Sequence, residues 1–257
     1  MARYQIILAY DGTHFLGSQR QAESRTVQGE LEKALGKLGW SGRTIYLAGR
    51  TDTGTHASGQ VAAFDLDWHH GFDSLRKALN SNLPRDMAVQ EVLLAADTFH
   101  PRFDARARHY RYRLFCAGVR DPLRERYAWR VWPEVTNLEP LAAIWPGTHN
   151  FSAFGSPPKT AGSTVRTVFS AKWTIDDDQW TFDILADAFL YRMVRRLVFV
   201  QVAVGQGRIS VDGLVSALNN GCASPRENRK KGQSHIPASL APASGLTLVE
   251  VHYDNLV

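Results

Sequence analysis

Residues 49–57, Gly-Arg-Thr-Asp-Thr-Gly-Thr-His-Ala, lie between two segments that are predicted to be β-strands, residues 43–48 and 60–66. The two glycines suit a tight connection, and Asp52 between them can close an Asx-type turn. An ionised carboxylate can also act as a nucleophile or a general base. Local spacing therefore leaves a structural turn and a catalytic site as open alternatives for Asp52.

The sequence on both sides of this loop alternates between strand and helix patterns. Residues 4–10 are predicted to form a buried strand, which ends at a turn signal in residues 11–13. Apolar residues then recur at helical spacing after Thr26, a suitable N-cap, and Gly39 supplies a stop signal. The same patterns predict a second helix and a further strand after the loop, at residues 72–79 and 87–94.

A second half of the chain starts near residue 105. Residues 165–175 and 180–184 alternate with a period of two around a polar turn, which predicts a β-hairpin. The odd-numbered residues of the first of these strands are expected to share one face, because side chains alternate along a strand. The chain is predicted to be α/β, of the α+β type, with substantial antiparallel pairing.

Helical spacing returns over residues 189–204. Residues three and four apart are neighbours on a helix, so Arg192, Arg195 and Arg196 are expected to share a face. A shorter helix is predicted at residues 211–219 and a last strand at residues 246–253.

The charge of the chain favours anionic partners. The formal net charge is +5 and the isoelectric point about 9.3. Residues 100–130 contain nine arginines and three acidic residues, so this segment alone carries +6. A second basic stretch, residues 225–234, is predicted to be a loop that either contacts an anionic partner or is merely solvated.

Several classes of protein are disfavoured. The longest apolar run, residues 197–204, is far shorter than the roughly 20 residues that span a bilayer. Two widely spaced cysteines, Cys116 and Cys222, suggest neither a disulfide framework nor a zinc site. We find no phosphate-binding glycine loop, nucleotide fingerprint or metal-ligand cluster. We therefore expect a cytoplasmic protein with no membrane partner, nucleotide cofactor or metal.

Residues 52–54, Asp-Thr-Gly, also match the catalytic triplet of aspartic proteases. Such an enzyme needs two carboxylates that share one proton. The chain has no second Asp-Thr-Gly or Asp-Ser-Gly, so two identical subunits would have to form the site. That hypothesis also leaves the basic segment unexplained, and we disfavour it.

Short motifs follow one another along nearly the whole chain: Tyr-Asp-Gly-Thr at 10–13, Gly-Ser-Gln-Arg-Gln at 17–21, the loop at 49–57, Asn-Leu-Pro at 82–84, Phe-His-Pro-Arg-Phe-Asp-Ala at 99–105, Tyr-Arg-Tyr at 110–112, Phe-Leu-Tyr-Arg-Met-Val-Arg at 189–195 and Gly-Leu at 245–246. In content and order they resemble the TruA family of tRNA pseudouridine synthases. Three features depart from the family's pattern: Ser18 replaces its usual tryptophan, Thr55 its usual valine, and the basic stretch at 225–234 is longer. None of these removes a residue expected to do chemistry.

The resemblance implies a role for each residue of a candidate site. Asp52 would be the nucleophile, and Arg195 would favour its ionised form. Arg50 would assist base flipping, Tyr110 would stack on the flipped uracil and help proton transfer at C5, and Leu246 would supply an apolar wall. The atom that Asp52 attacks stays open between ribose C1′ and uracil C6, as does a role in removing a ribose proton. Without the resemblance, Tyr110 would be a strand core residue and Arg195 a phosphate contact.

The resemblance also implies how substrate is held. Phe99, His100, Arg102 and Phe103 would supply phosphate contacts and stacking to a folded RNA. The expected domains are residues 1–104, which carry the Asp52 loop, and residues 105–257, which complete a basic cleft. The expected partners are a second copy of the chain and the anticodon stem-loop of tRNA, modified at positions 38, 39 and 40. The alternative is a basic RNA-binding protein without catalysis, which would not require Asp52.

Overall fold

The computed structural model of the protein describes residues 1–157, 162–220, 237 and 239–254. The basic stretch at residues 225–234 and Cys222 lie outside these described residues. The chain divides into two compact units, Met1–His109 with Thr247–Val257, and Tyr110–Leu246. This division differs from the one expected at residues 104 and 105, because the last strand returns to the first unit.

The described residues contain ten β-strands and five α-helices. The strands are β1 (Ala2–Tyr10), β2 (Tyr46–Leu47), β3 (His56–Leu66), β4 (Met87–Leu94), β5 (Ala107–Cys116), β6 (Trp129–Val131), β7 (Gly147–Asn150), β8 (Val165–Asp176), β9 (Gln179–Ala186) and β10 (Leu246–His252). The helices are α1 (Val27–Gly36), α2 (Phe72–Asn82), α3 (Glu139–Ala142), α4 (Met193–Gly205) and α5 (Val211–Asn220). Short 3-10 turns cover Gly12–His14 and Ala243–Gly245.

In the first unit, the strand order is β4-β1-β3-β10, with β2 paired to β3. The pairs β1–β3 and β1–β4 are antiparallel, whereas β10 runs parallel to β3. Alternate residues of β1 are buried, and the fully buried Ile6 and Leu8 belong to the core. Thr26 caps α1 by accepting the Gly29 N–H at 3.2 Å, as the sequence predicts.

In the second unit, the strand order is β5-β9-β8-β7, and β6 runs parallel to β5. The indole N–H of Trp173 on β8 donates to Gln201 of α4 at 2.8 Å, deep in the core. The predicted α/β architecture with antiparallel pairing is confirmed.

Two local predictions for the second unit are wrong. The register of β8 and β9 shifts between Val168 and Ser170, which reverses the alternation of buried residues. Val168 and Trp173 are therefore buried, while Phe169 is exposed. Arg192 has a left-handed backbone (φ 62°) and precedes α4, so it does not continue the helical face of Arg195.

Among the described residues, no helix is long and apolar enough to cross a membrane.

Candidate active site

The loop at residues 49–57, which we call the Asp52 loop, runs from β2 into the start of β3. Its last two residues already pair with β10, His56 opposite Thr247 and Ala57 opposite Leu248. The carbonyl of Asp52 accepts the Thr55 N–H at 3.1 Å and closes a turn. Asp52 is partly exposed, so a carboxylate accessible to ligands sits on a compact turn.

Thr51, directly before Asp52, is held by its backbone and by its side chain. Its N–H donates to Ser18 Oγ at 2.8 Å, and its carbonyl accepts the Ser18 N–H at 3.1 Å. Its hydroxyl lies 2.8 Å from the hydroxyl of Tyr10. Burial raises the pKa of Tyr10 to about 12, so this phenol keeps its proton at neutral pH. The residue before the carboxylate is therefore fixed on three sides.

Further hydrogen bonds hold both ends of the Asp52 loop. Gln60 Nε2 donates to the Gly49 carbonyl at 3.0 Å. The Gly54 N–H donates to the Phe15 carbonyl at 3.3 Å. His56 Nδ1 accepts the Gly12 N–H at 3.0 Å. The bond from Gln60 joins the loop to β3, and the other two bonds join it to the segment that follows β1.

Two glycines allow this segment to approach the loop closely. A Cβ atom on Gly12 would overlap the backbone carbonyl of Thr55. A Cβ atom on Gly17, whose φ is +86°, would lie 3.1 Å from the Thr51 carbonyl oxygen. The motifs at residues 10–13 and 17–21 are thus the packing surface on which the Asp52 loop rests.

The second unit holds Tyr110, Arg195 and Leu246. Tyr110 is buried on β5, and its ring meets the edge of Phe189 at a centroid distance of 5.1 Å. Arg195 Nε, on α4, donates to the Ala241 carbonyl at 2.7 Å. The Ala241 N–H in turn donates to the Arg195 carbonyl at 3.2 Å. This exchange brings Arg195 beside the segment that leads into the buried Leu246.

The neighbouring Tyr112 fixes the same segment. Its hydroxyl donates to the Pro242 carbonyl at 2.8 Å, and its ring fills the space next to Gly245. Burial raises the pKa of Tyr112 well above its ordinary value, and the positive charge of Arg195 partly opposes that shift. Tyr112 therefore stays neutral and donates a hydrogen bond to the Pro242 carbonyl.

Residues 99–103 form an aromatic and basic motif in the first unit, in which Arg102 and Phe103 are exposed. The His100 ring lies 4.3 Å from the Phe103 ring and 4.8 Å from the Tyr46 ring, between centroids. Phe103 is 75% exposed, and the guanidinium of Arg102 lies 5.8 Å from its ring centroid. Sequence reasoning did not select Tyr46, whose only signal was an aromatic residue in a short predicted strand.

Phe99 differs from the rest of this motif. Its ring packs against Tyr253 at 5.1 Å, and its carbonyl accepts a bond from Arg3 at 3.1 Å. These contacts hold the motif on the first unit.

A family model described as tRNA pseudouridine synthase matches residues 6–104 and 141–254. The chain belongs to this family. The matched ranges include the Asp52 loop, Arg195 and Leu246, whereas Tyr110 lies between them.

Curated relatives named tRNA pseudouridine synthase A match over nearly the full length. The protein of Geobacillus sp. (strain WCH70) is 38% identical, covering 98% of this chain and 99% of the relative. The protein of Chloroflexus aurantiacus (strain J-10-fl) is 40% identical, with coverages of 98% and 89%. The protein of Limosilactobacillus fermentum is 37% identical, with coverages of 99% and 97%. The resemblance inferred from sequence motifs is confirmed.

Ser18 and Thr55, the two residues at which the sequence motifs were expected to depart from the family's pattern, differ in their hydrogen bonds. Ser18 is fully buried, and its hydroxyl accepts the Thr51 amide. Thr55 is also buried, but its hydroxyl has no hydrogen-bond partner among the residues that the structure describes. The serine therefore contributes a contact to the Asp52 loop, whereas the threonine hydroxyl contributes none.

Arg50 projects from the Asp52 loop into solvent. It is exposed and makes no hydrogen bond or ion pair with the rest of the described chain. An exposed guanidinium two residues from the candidate nucleophile can contact phosphate or stack on a base.

The arginine-rich segment at residues 100–130 is less available than its composition suggests. At least four of its nine arginines form ion pairs within the chain: Arg111 with Asp183 (2.9 Å), Arg124 with Asp178 (2.7 Å), and Arg120 and Arg130 with Glu125 (3.2 and 3.1 Å). Arg108 donates to the carbonyls of Ala48 and Arg102. Much of the segment's charge is thus balanced internally, and Arg102 is one of its exposed cations.

Among the described residues, no group of three or more His, Cys, Asp or Glu side chains could hold a metal ion.

Proposed function

We propose that this enzyme converts uridine to pseudouridine in the anticodon stem-loop of tRNA, at positions 38, 39 and 40, with Asp52 as nucleophile. Membership of the tRNA pseudouridine synthase family supports the reaction and the substrate. The observation that carries the role of Asp52 is its setting: a partly exposed carboxylate on a turn whose neighbours are fixed by hydrogen bonds on both sides.

The reaction has simple requirements. The bond between ribose C1′ and uracil N1 breaks, the base rotates, and C1′ bonds to C5. C5 loses its proton to solvent and N1 gains one, so the product is an isomer of the substrate. The net change needs neither an oxidant nor an activated donor. It does need a group that forms and later releases a covalent link, and an ionised carboxylate is suited to this.

A rigid loop matters because covalent catalysis depends on accurate placement. A carboxylate that is already held near its working position avoids the entropy cost of finding it during the reaction. The three contacts of Thr51 and the turn closed by Asp52 itself give the Asp52 loop this property.

Other residues carry proposed supporting roles. Uridine must leave its stack at a cost of about a few kcal/mol, and Arg50 is proposed to support that extruded state. Tyr110 and Leu246 are proposed to contact the flipped uracil. Arg195 is proposed to keep the nucleophile ionised, because a nearby positive charge favours a carboxylate over the neutral acid.

Substrate binding is proposed to use His100, Arg102 and Phe103, with Phe99 as part of the same motif. Exposed rings can stack on unpaired bases, and an exposed guanidinium can contact phosphate. The close approach of the His100 ring to the Phe103 and Tyr46 rings supports this role and adds Tyr46 to it. A homodimer in the cytoplasm completes the proposal and rests on the family resemblance.

The direct test is Asp52→Asn, which keeps the size of the side chain and removes its charge. We expect release of tritium from tRNA that contains [5-³H]uridine to fall by at least about 10³-fold, with tRNA affinity largely unchanged. Asp73→Asn on α2 is the matched control, because Asp73 is exposed and pairs with Lys77 and Arg76 of its own helix. Undiminished turnover in Asp52→Asn would remove Asp52 from the mechanism. A wild-type protein that binds tRNA but releases no tritium would instead support the non-catalytic alternative.

A further inference from the structure

Ser18 occupies an unusual place for a small polar residue. Its side chain is fully buried, and its hydroxyl accepts the N–H of Thr51 at 2.8 Å. Its own N–H donates to the Thr51 carbonyl at 3.1 Å. Ser18 therefore satisfies both backbone groups of the residue that precedes Asp52.

Ser18 is itself anchored to α1. Its carbonyl accepts the Gln28 N–H at 2.9 Å, and the preceding Gly17 carbonyl accepts the Val27 N–H at 3.4 Å. A continuous series of hydrogen bonds thus runs from the first turn of α1 through Ser18 to Thr51. Helix α1 is well fixed, because Val27, Leu31 and Leu35 are fully buried.

The contact depends on an acceptor atom at this position. A serine hydroxyl both donates and accepts, so it can serve as the acceptor of the Thr51 N–H. A buried backbone N–H that loses its acceptor destabilises the folded state, which favours a backbone shift that brings the N–H to another acceptor. Any such movement of Thr51 displaces Asp52, which follows it directly.

We propose that Ser18 is a positioning residue of this enzyme: its hydroxyl fixes the backbone of Thr51 and thereby the direction of the Asp52 carboxylate. This inference rests on the proposed role of Asp52 as nucleophile. Ser18 acts through Thr51 and does not contact the substrate.

The test compares Ser18→Ala and Ser18→Cys with Asn80→Ala. The cysteine fills the space of the serine but accepts hydrogen bonds weakly, so it separates loss of the acceptor from loss of volume. Asn80 is the matched control: in the same unit, its side chain accepts the Val89 N–H at 2.7 Å and donates to the Val89 carbonyl at 2.8 Å. Tritium release under single-turnover conditions, tRNA affinity and thermal midpoint are measured for each variant.

Both Ser18 variants are expected to release tritium about 10- to 100-fold more slowly, because small misplacements of a reacting group cost this much. Their affinity for tRNA should stay at the wild-type value. Asn80→Ala should lower the thermal midpoint and keep the wild-type rate. Exchange of the Thr51 amide with deuterated solvent, followed by NMR, should be faster in both Ser18 variants.

Three results would overturn the inference. One is a wild-type rate in Ser18→Ala or Ser18→Cys. Another is a rate that falls in Asn80→Ala as much as in the Ser18 variants, which would make the contact merely structural. The third is unchanged exchange of the Thr51 amide. Asp52→Asn in the same assay keeps the two proposals apart: an active Asp52→Asn would refute the nucleophile role on which the inference rests, whereas an inactive Asp52→Asn with active Ser18 variants refutes only the role of Ser18.

Discussion

The Asp52 loop and the arginine-rich segment both stand out in the sequence, yet the structure uses them in opposite ways. The hydrogen bonds around the loop converge on the neighbours of one partly exposed carboxylate. Two arginines of the segment, Arg111 and Arg124, pair with carboxylates outside it, which lowers its net charge from +6 to +4. A local motif thus selected one carboxylate on a held turn, whereas a local count of charge did not show which cations are paired within the chain.

Among changes that keep Asp52 itself, the largest expected effect comes from disturbing the packing beneath the loop. Gly12→Ala places a methyl group against the backbone of Thr55, which cannot move aside as a flexible side chain could. We expect the free energy of unfolding to fall by about 1–3 kcal/mol. Turnover of the folded enzyme should fall about 10²-fold. Thermal unfolding and tritium release measure the two effects.

Gly36→Ala is the control for this change. A Cβ atom at Gly36, at the end of α1, meets nothing within 4 Å among the described residues. That variant should be up to about 1 kcal/mol more stable and fully active, because alanine favours helix over glycine. Equal behaviour of the two variants would show that the close approach at Gly12 is unimportant.

A smaller effect is expected from substitution of single arginines. A comparison of two such variants distinguishes an exposed arginine from one in an ion pair. Arg102→Gln should weaken tRNA binding by about 3- to 10-fold. The slope of the logarithm of the binding constant against the logarithm of the salt concentration should become shallower by roughly 0.7–0.9, the contribution of one phosphate contact. Arg124→Gln should leave binding unchanged and cost less than about 1 kcal/mol of stability, as expected for an exposed ion pair. Filter binding across a salt series tests both, and identical losses in the two variants would contradict the distinction.

The smallest effect is expected at Thr55, within the Asp52 loop. Thr55→Val removes a buried hydroxyl that has no partner among the described residues and keeps the shape of the side chain. We expect about 1 kcal/mol of added stability, because an unsatisfied polar group is removed. Turnover should not change. A loss of stability in thermal unfolding would mean that the hydroxyl makes a contact in solution.

Local features of the fold were predictable from the sequence. The strand at residues 87–94 and the N-cap at Thr26 appear where turn signals and helical spacing indicate them. Each depends on residues a few positions apart, whose preferences are intrinsic to the chain. The family resemblance likewise followed from motif order and was confirmed.

What could not be predicted depends on contacts between distant residues. The bulge at Phe169 and the left-handed backbone of Arg192 leave no sign in the local hydrophobic pattern. The return of β10 to the first unit and the bond from Thr51 to Ser18 join residues far apart in the chain. The sequence therefore indicated Asp52 as a candidate site residue, but it did not indicate that Ser18 binds the neighbouring Thr51.

The central claim is that the carboxylate of Asp52 carries out uridine isomerisation in tRNA. The most direct measurement maps pseudouridine in tRNA from cells that lack this protein and are supplied with either the wild-type or the Asp52→Asn chain. We expect pseudouridine at positions 38, 39 and 40 with the wild-type chain and unmodified uridine with Asp52→Asn at equal protein abundance. Pseudouridine at these positions in cells that carry only Asp52→Asn would contradict the account.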